Sequence, residues 1–266
     1  MTWWHGWAPT PTTETQVMNA VPPLSVVIPC LNEAQRLPLL LADLQLWPFD
    51  YELLLVDGGS RDRSATIAAL AGARVLHSLP PCRGRQLATG ANQAQHAWLL
   101  FLHADSRLPR HWAQAVGETI KDASLQPGLA MASAWFFPLC IAPATAARRL
   151  LERAVHLRSH LGQTPYGDQG LLIHKSLYQA SGGFAPLPLM EDLDLVQRIR
   201  PRARLRGLNC PLTTDGRRWD RSGVVQRSWQ NAQLRRRWRR GESPERLASL
   251  YSGRRETQLA YQKPQR

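Results

Sequence analysis

Four acidic stations recur along this chain, three of them at the ends of short apolar runs. The run 24–28 leads into Pro29-Cys30-Leu31-Asn32-Glu33, the run 53–56 into Asp57-Gly58-Gly59-Ser60, and the run 99–102 into His103-Ala104-Asp105. Further on, Leu189-Met190 precedes Glu191-Asp192. Carboxylates gathered at one place repel one another unless a cation shares the site. That arrangement suits a metal-bound substrate that carries phosphate.

Elements must bring these stations together. Short apolar runs bounded by turn residues predict strands buried on both faces, hence a parallel sheet. Ligands of open parallel sheets bind beyond the carboxyl ends of the strands. Strands are predicted at 24–28, 52–56, 75–76, 98–102, 130–137 and 170–174. Helices are predicted at 33–46, where Leu37, Leu40, Leu41 and Leu44 keep helical spacing, and at 60–71, 86–97, 109–123, 144–161, 175–180, 192–199 and 224–251. The stretch 80–85 reads as a loop, and no internal repeat is visible. This β-α alternation predicts an α/β sheet with right-handed crossovers. The uncharged stretch 129–147 approaches membrane-spanning length. Pro138 and Pro143 interrupt it, so a strand followed by a loop is expected, with contact to lipid left open.

A chain of 266 residues can bury a full core, and 44% hydrophobic with 20% charged residues is ordinary for a globular protein. The net charge of +13 is not ordinary, and arginines crowd the last third of the chain. The bias favours anionic partners: phosphate-bearing substrates, nucleic acid or a negatively charged membrane; a merely solvated basic face is the competing reading. The four cysteines are widely spaced, with no Cys-x-x-Cys pair, which points away from a zinc site or disulfide framework and toward a cytoplasmic setting. Residues 1–22 lack a basic segment followed by an apolar one, so they read as a poorly ordered extension rather than a secretory signal.

Several nucleotide-binding signatures are absent: Gly-x-Gly-x-x-Gly after the first strand, the Gly-x-x-x-x-Gly-Lys-Ser/Thr phosphate loop, and Gly-x-Ser-x-Gly. What is present resembles something else. Ser25-Val26-Val27-Ile28-Pro29-Cys30-Leu31-Asn32-Glu33 is similar to the first strand and loop of family 2 glycosyltransferases of the GT-A type. Val56-Asp57-Gly58-Gly59-Ser60-Arg61-Asp62 looks like their second-strand motif. His103-Ala104-Asp105 stands where they have a metal-binding Asp-x-Asp, and Gly182-Gly183-Phe184 followed by Glu191-Asp192 resembles their acceptor-side loop. Within the family, Pro188-Leu189-Met190-Glu191-Asp192, Gly167-Asp168-Gln169 and Ser243-Pro244-Glu245-Arg246-Leu247 resemble the branch named for arsenosugar biosynthesis.

The resemblance implies a GT-A catalytic domain over 23–215, a mostly parallel sheet flanked by helices, with 216–266 a basic, mainly helical extension. It implies transfer of a sugar from a nucleotide-diphosphate donor to a hydroxyl acceptor in one displacement, with inversion and with magnesium or manganese at Asp105 and His103. Imidazole suits manganese better than magnesium, so His103 leaves the metal open. Asp192 is the implied general base, with Glu191 orienting a loop or the acceptor. Pro29, Glu33, Asp57 and Gly58 are assigned to the nucleotide sugar, and Glu33 alternatively begins the first helix. Arg83 and Arg85 read as diphosphate contacts or as solvated loop arginines. Asp168, Gln169, Arg218 and Trp219 are assigned to the acceptor or the diphosphate; Asp215-Gly216-Arg217-Arg218-Trp219 partly resembles the Gln-x-x-Arg-Trp of processive synthases. Taken alone, Asp57 is a turn residue and Asp192 a helix N-terminus; the order of the motifs favours the site reading.

Two further readings stand beside this one. One keeps the transferase but gives it a lipid-linked acceptor at the inner face of an anionic membrane, touched by Arg148, Arg149 and Arg153. The other is a nucleic-acid module gripping through Trp219, Trp229 and Trp238 among the C-terminal arginines. It leaves the acidic stations unexplained, so nucleic acid is not the expected partner.

Overall fold

The computed structural model describes residues 21–126, 128–215 and 223–251. In chain order the elements are β1 (Leu24–Cys30), α1 (Leu37–Leu44), β2 (Tyr51–Asp57), α2 (Ser64–Leu70), β3 (Arg74–His77), α3 (Arg83–Gln93), β4 (Trp98–Phe101), β5 (Ser106–Arg107), α4 (Trp112–Leu125), α5 (Leu129–Ala132), β6 (Ser133–Phe136) and β7 (Leu139–Ala142). Then follow α6 (Ala146–Leu161), a 3-10 turn (Gly167–Gln169), β8 (Leu171–His174), α7 (Lys175–Ala180), α8 (Glu191–Ile199), β9 (Arg204–Gly207), β10 (Leu212–Asp215) and α9 (Val224–Arg239).

The main sheet has seven strands in the order β3-β2-β1-β4-β8-β6-β9. β1 runs parallel to both β2 and β4, in the registers Cys30↔Asp57 and Val27↔Phe101, so the ends carrying Asp57 and His103 lie along one edge. β8 enters antiparallel between β4 and β6. A second sheet has three strands in the order β5-β10-β7, with β10 antiparallel to β5 and parallel to β7.

The apolar runs are buried on both faces, as expected. Val26, Ile28, Leu53 and Leu55 pack with Leu37, Leu40 and Leu44 of α1 and Trp112, Val116 and Ile120 of α4. The residues between them, Val27, Leu54 and Val56, pack with Leu87 and Ala91 of α3, Leu177 of α7 and Leu195 and Ile199 of α8. A strand's period of two sends alternate residues to opposite layers, so an unbroken apolar run is what a central strand requires.

Several boundaries differ from the expectation. The first helix starts at Leu37 rather than 33; the segment before it is a loop tied to the start of α2, with the backbone N–H groups of Asn32, Glu33 and Ala34 donating to Ser60 Oγ, Ser64 Oγ and Asp62 Oδ2. The third begins at Arg83, with Gln86 N donating to Cys82 O at 2.9 Å, so Arg83 and Arg85 are helical, not loop residues. The expected strand 130–137 shrinks to β6 behind one helical turn, and the expected loop after it is β7, which finds its partner in distant β10. The helix expected over 224–251 breaks after Arg239 at Gly241 and resumes at 244–251. Among the described residues no helix is long and apolar enough to cross a membrane.

Candidate active site

The site is built in two parts along the carboxyl edge of the sheet. In the first, Asp57 ends β2 and is 3% exposed. Its Oδ2 accepts the backbone N–H of Gly59 and of Ser60, both at 3.0 Å, which fixes the Asp57–Ser60 turn. Gln86, buried in α3, donates from Nε2 to Cys30 O (2.9 Å) and to Val56 O (2.8 Å), tying the ends of β1 and β2 together. Pro29 stands opposite Val56 in that pairing, and Gly58 N donates to Cys30 O at 2.9 Å. Pro29, Glu33, Asp57 and Gly58 thus share one corner. The Glu33 carboxylate is paired with Arg36 at 2.9 Å, and Arg85 turns back to donate to Leu79 O at 3.2 Å. Burial pushes the neighbouring Cys30 thiol up to about 11, which removes it as a nucleophile.

The second part is a cavity of about 160 Å³. His103 and Asp105, from the segment after β4, line it together with Asp168 and Asp192. The lining also has basic, polar and aromatic side chains: Arg83 of α3, Asn231 and Arg235 of α9, and Tyr166 and Tyr251. Asp105 is 9% exposed. Asp192 is held by two backbone donors, Gly167 N to Oδ2 at 2.6 Å and Leu193 N to Oδ1 at 2.7 Å. Each oxygen keeps a second lone pair for another partner. Gly167 is glycine because of crowding: a Cβ there would lie 2.9 Å from His103 Nε2 and 3.1 Å from Asp192 Oδ2. The same two atoms are therefore near neighbours.

Met190 precedes α8 with φ +68°, a left-handed conformation that costs about 1–2 kcal/mol for a non-glycine residue. Its turn sends Glu191 inward, 1% exposed and paired with Arg83 Nε, while Asp192 faces the cavity. Gly84, next to Arg83, permits this contact between α3 and the 185–187 loop, since a Cβ would fall 2.2 Å from Ala185 O. Burial raises the Glu191 carboxyl above the usual range; Arg83 opposes the rise and Asp192 adds to it. Burial also raises Asp168, whose Oδ1 has no hydrogen-bond partner among the described residues.

Asp168 and Gln169, adjacent in sequence, separate in space. Asp168 lines the cavity; Gln169 is fully buried behind it, accepting from Arg158 Nη2 (3.1 Å), Ser159 Oγ (2.9 Å) and Tyr166 N (3.2 Å) and donating to Phe137 O (3.2 Å). Arg158 also lies over the Tyr166 ring at 3.7 Å, with Arg235 at 4.9 Å from the same ring. Tyr166, Asn231, Arg235 and Tyr251 had no assignment from sequence. Tyr166 had a local signal, its place beside Gly167-Asp168; the α9 residues had none. Arg218 and Trp219 lie outside the described residues.

Among the described residues no group of three or more His, Cys, Asp or Glu side chains could hold a metal ion. His103 and Asp105 nevertheless face one cavity, and an oxygen-nitrogen pair is a fitting protein share for a cation that takes its other ligands from diphosphate and water. A second hollow of about 30 Å³ shares His103, Tyr166 and Asp192 with this cavity and is otherwise mostly apolar, with Leu87, Phe101, Phe184 and Leu195 in its lining; it has room for a water and not for a sugar.

Residues 25–126 match the glycosyl transferase family 2 profile. Over 106 residues the chain is 35% identical to an uncharacterized glycosyltransferase of Mycobacterium tuberculosis, a match covering 40% of this chain and 47% of that protein. The chain thus spans about half the length of the curated relatives it matches. Among solved structures, TarS 1-349 of S. aureus superposes with a TM-score of 0.59 at 16% identity, over 73% of this chain and 60% of TarS 1-349. The mannosyltransferase PcManGT of Pyrobaculum calidifontis, solved with GDP-Man and Mn2+, superposes with a TM-score of 0.58 at 14% identity, over 82% of this chain and 62% of its own. At such identities the likeness speaks for the fold, which is GT-A-like α/β. The stretch 25–126, which matches the glycosyl transferase family 2 profile, carries the carboxyl edge on which the first part of the site is built.

Proposed function

We propose that this chain is an inverting glycosyltransferase that moves one sugar per encounter from a nucleotide-diphosphate donor to a hydroxyl acceptor. One observation carries the reading: Asp192, held by two backbone N–H groups, shares a cavity with His103 and Asp105. A base for the acceptor and donors for a cation stand side by side. In this reading the nucleoside sits at the β1–β2 corner, against Asp57 and Gly58, and the diphosphate reaches toward Arg83 and Arg235. Asp192 takes the acceptor's hydroxyl proton as that oxygen bonds to the anomeric carbon. The bond to the diphosphate breaks on the opposite face and its electron pair leaves with the diphosphate, so the centre inverts. A magnesium or manganese ion bound by Asp105 and His103 would offset the charge on the departing diphosphate.

The family 2 match and the glycosyltransferase relatives support the reaction class, and PcManGT, solved with GDP-Man and Mn2+, supports the donor class and the cation. The catalytic unit is read as 23–215, with Asn231, Arg235 and Tyr251 supplied by the helices beyond it. The arsenosugar branch stays a proposal resting on the motifs at 167–169, 188–192 and 243–247. Melting-temperature shifts with nucleoside diphosphates and nucleotide sugars, with and without manganese, test donor and cation together, since a ligand of the folded state raises its apparent stability. Asp192→Asn is expected to keep those shifts and lose transfer by ~10²–10⁴-fold. An Asp192→Asn protein with full transfer activity sinks the assignment of the base.

A further inference from the structure

Helix α6 has two faces of opposite character. Its inner face carries Arg148 (1% exposed), Val155 (6%) and Ser159 (0%), with Arg158 reaching the Tyr166 ring. The sequence placed Arg148 at a lipid surface; the structure turns it inward, its Nη1 donating to Pro143 O at 2.6 Å. The outer face is apolar. Leu150, Leu157 and Leu161 are 68%, 59% and 77% exposed, and Ala146 and Ala154 fill the steps between them at helical spacing. Single exposed leucines are ordinary, but a stripe of them along one helix marks an interaction surface.

Charge says what covers it. Arg149 and Arg153 are exposed along one edge of the stripe. The helix's one acid, Glu152, is turned away, its Oε1 accepting Ile141 N at 2.7 Å. A second copy of the chain meeting this stripe antiparallel about a twofold axis would set arginine edge near arginine edge. An anionic lipid surface instead offers acyl boundary to the leucines and negative headgroups to the arginines. We propose that the outer face of α6 docks on an anionic bilayer surface, with Leu150, Leu157 and Leu161 in the headgroup–acyl boundary. The inner face of the same helix, through Arg158, buttresses Tyr166 of the cavity, so docking would hold the site close to the lipid. The inference stands on the helix alone, independent of the catalytic reading.

Flotation of the full chain with vesicles tests it, using phosphatidylcholine alone and an equal mixture with phosphatidylglycerol. The protein is expected to float with the mixed vesicles and not with phosphatidylcholine, and added salt should weaken the binding. Leu157→Glu with Leu161→Glu is expected to cut partitioning at least ~10-fold, and Arg149→Gln or Arg153→Gln roughly fivefold each. The melting temperature and its shift with nucleotide should stay unchanged, which separates lost docking from lost folding or a failed site. Any of three results overturns the proposal: no flotation of the folded wild-type chain, flotation untouched by all four substitutions, or a dimer that the leucine substitutions dissolve.

Discussion

Arg83 and Glu191 stand 108 positions apart in the chain and form an ion pair in which the acid side chain is 1% exposed and the arginine 36%. The pair joins the first residue of α3 to the first residue of α8. One of those helices carries Gln86, which staples the nucleoside corner, and the other carries Asp192. The two parts of the site are therefore coupled through this contact.

Replacing Arg83 by Gln tests that coupling through pH. Burial raises the Glu191 carboxyl, and Arg83 opposes the rise. Without the arginine the carboxyl is harder still to ionise. A carboxyl whose pKa is higher folded than unfolded adds stability below the unfolded value and loses it as pH rises through the folded one. Arg83→Gln should therefore be less stable than wild type near neutral pH by about 1–3 kcal/mol, less than for a fully buried pair because solvent reaches the arginine. The deficit should shrink as pH falls toward the carboxylate range. Denaturant midpoints across that range measure it, and a deficit independent of pH would contradict the account.

Gln86→Leu removes one side chain that serves two carbonyls, Cys30 O and Val56 O. Both are buried at strand ends and would be left without that donor, at a cost of about 1–3 kcal/mol. The Asp57–Gly58 turn rests on the same strand ends, so nucleoside diphosphate affinity should fall together with the denaturation midpoint. Loss of stability with unchanged affinity would place the nucleoside elsewhere.

Arg158→Lys is not a conservative change here. The guanidinium donates from Nε to Thr164 O and from Nη2 to Gln169 Oε1, both at 3.1 Å, while lying over Tyr166. An ammonium cannot serve both acceptors and keep the planar stack. A loss of about 1–2 kcal/mol is expected, with the 164–169 segment loosened. Amide exchange of that segment against the rest of the chain is the direct measurement.

The edge that gathers the site was legible because its signal is topological. Unbroken apolar runs 24–28, 53–56 and 99–102, short and bounded by turn residues, read as central strands, and parallel pairing then puts Asp57 and His103 on one side. Side-chain direction within a turn was not legible: Asp168 and Gln169 are neighbours, yet one lines the cavity and the other is buried behind it. Nor was helix docking. Arginines occupy 235, 236, 237 and 239, so no spacing singles out Arg235; its role depends on α9 packing against α6, a contact between segments with no shared local pattern. The same limit hid the inward turn of Arg148 beside the outward Arg149.

Gly167→Ala probes the reacting face most directly. The backbone at Gly167 lies outside the left-handed region, so alanine meets no conformational barrier and acts through its methyl group alone. That methyl would lie within 2.9 Å of His103 Nε2 and 3.1 Å of Asp192 Oδ2, and one of the two must move. Overpacking of this kind costs about 1–3 kcal/mol of stability. Displacing a catalytic group by about an ångström can cost on the order of 10²-fold in rate. The nucleoside corner is built on β1, β2 and Gln86 and should be untouched. The expected outcome is a folded protein that binds nucleoside diphosphate nearly as the wild type does, with kcat for transfer reduced about a hundredfold. If the alanine variant transfers sugar at the wild-type rate, Asp192 and His103 do not form the face at which the reaction occurs.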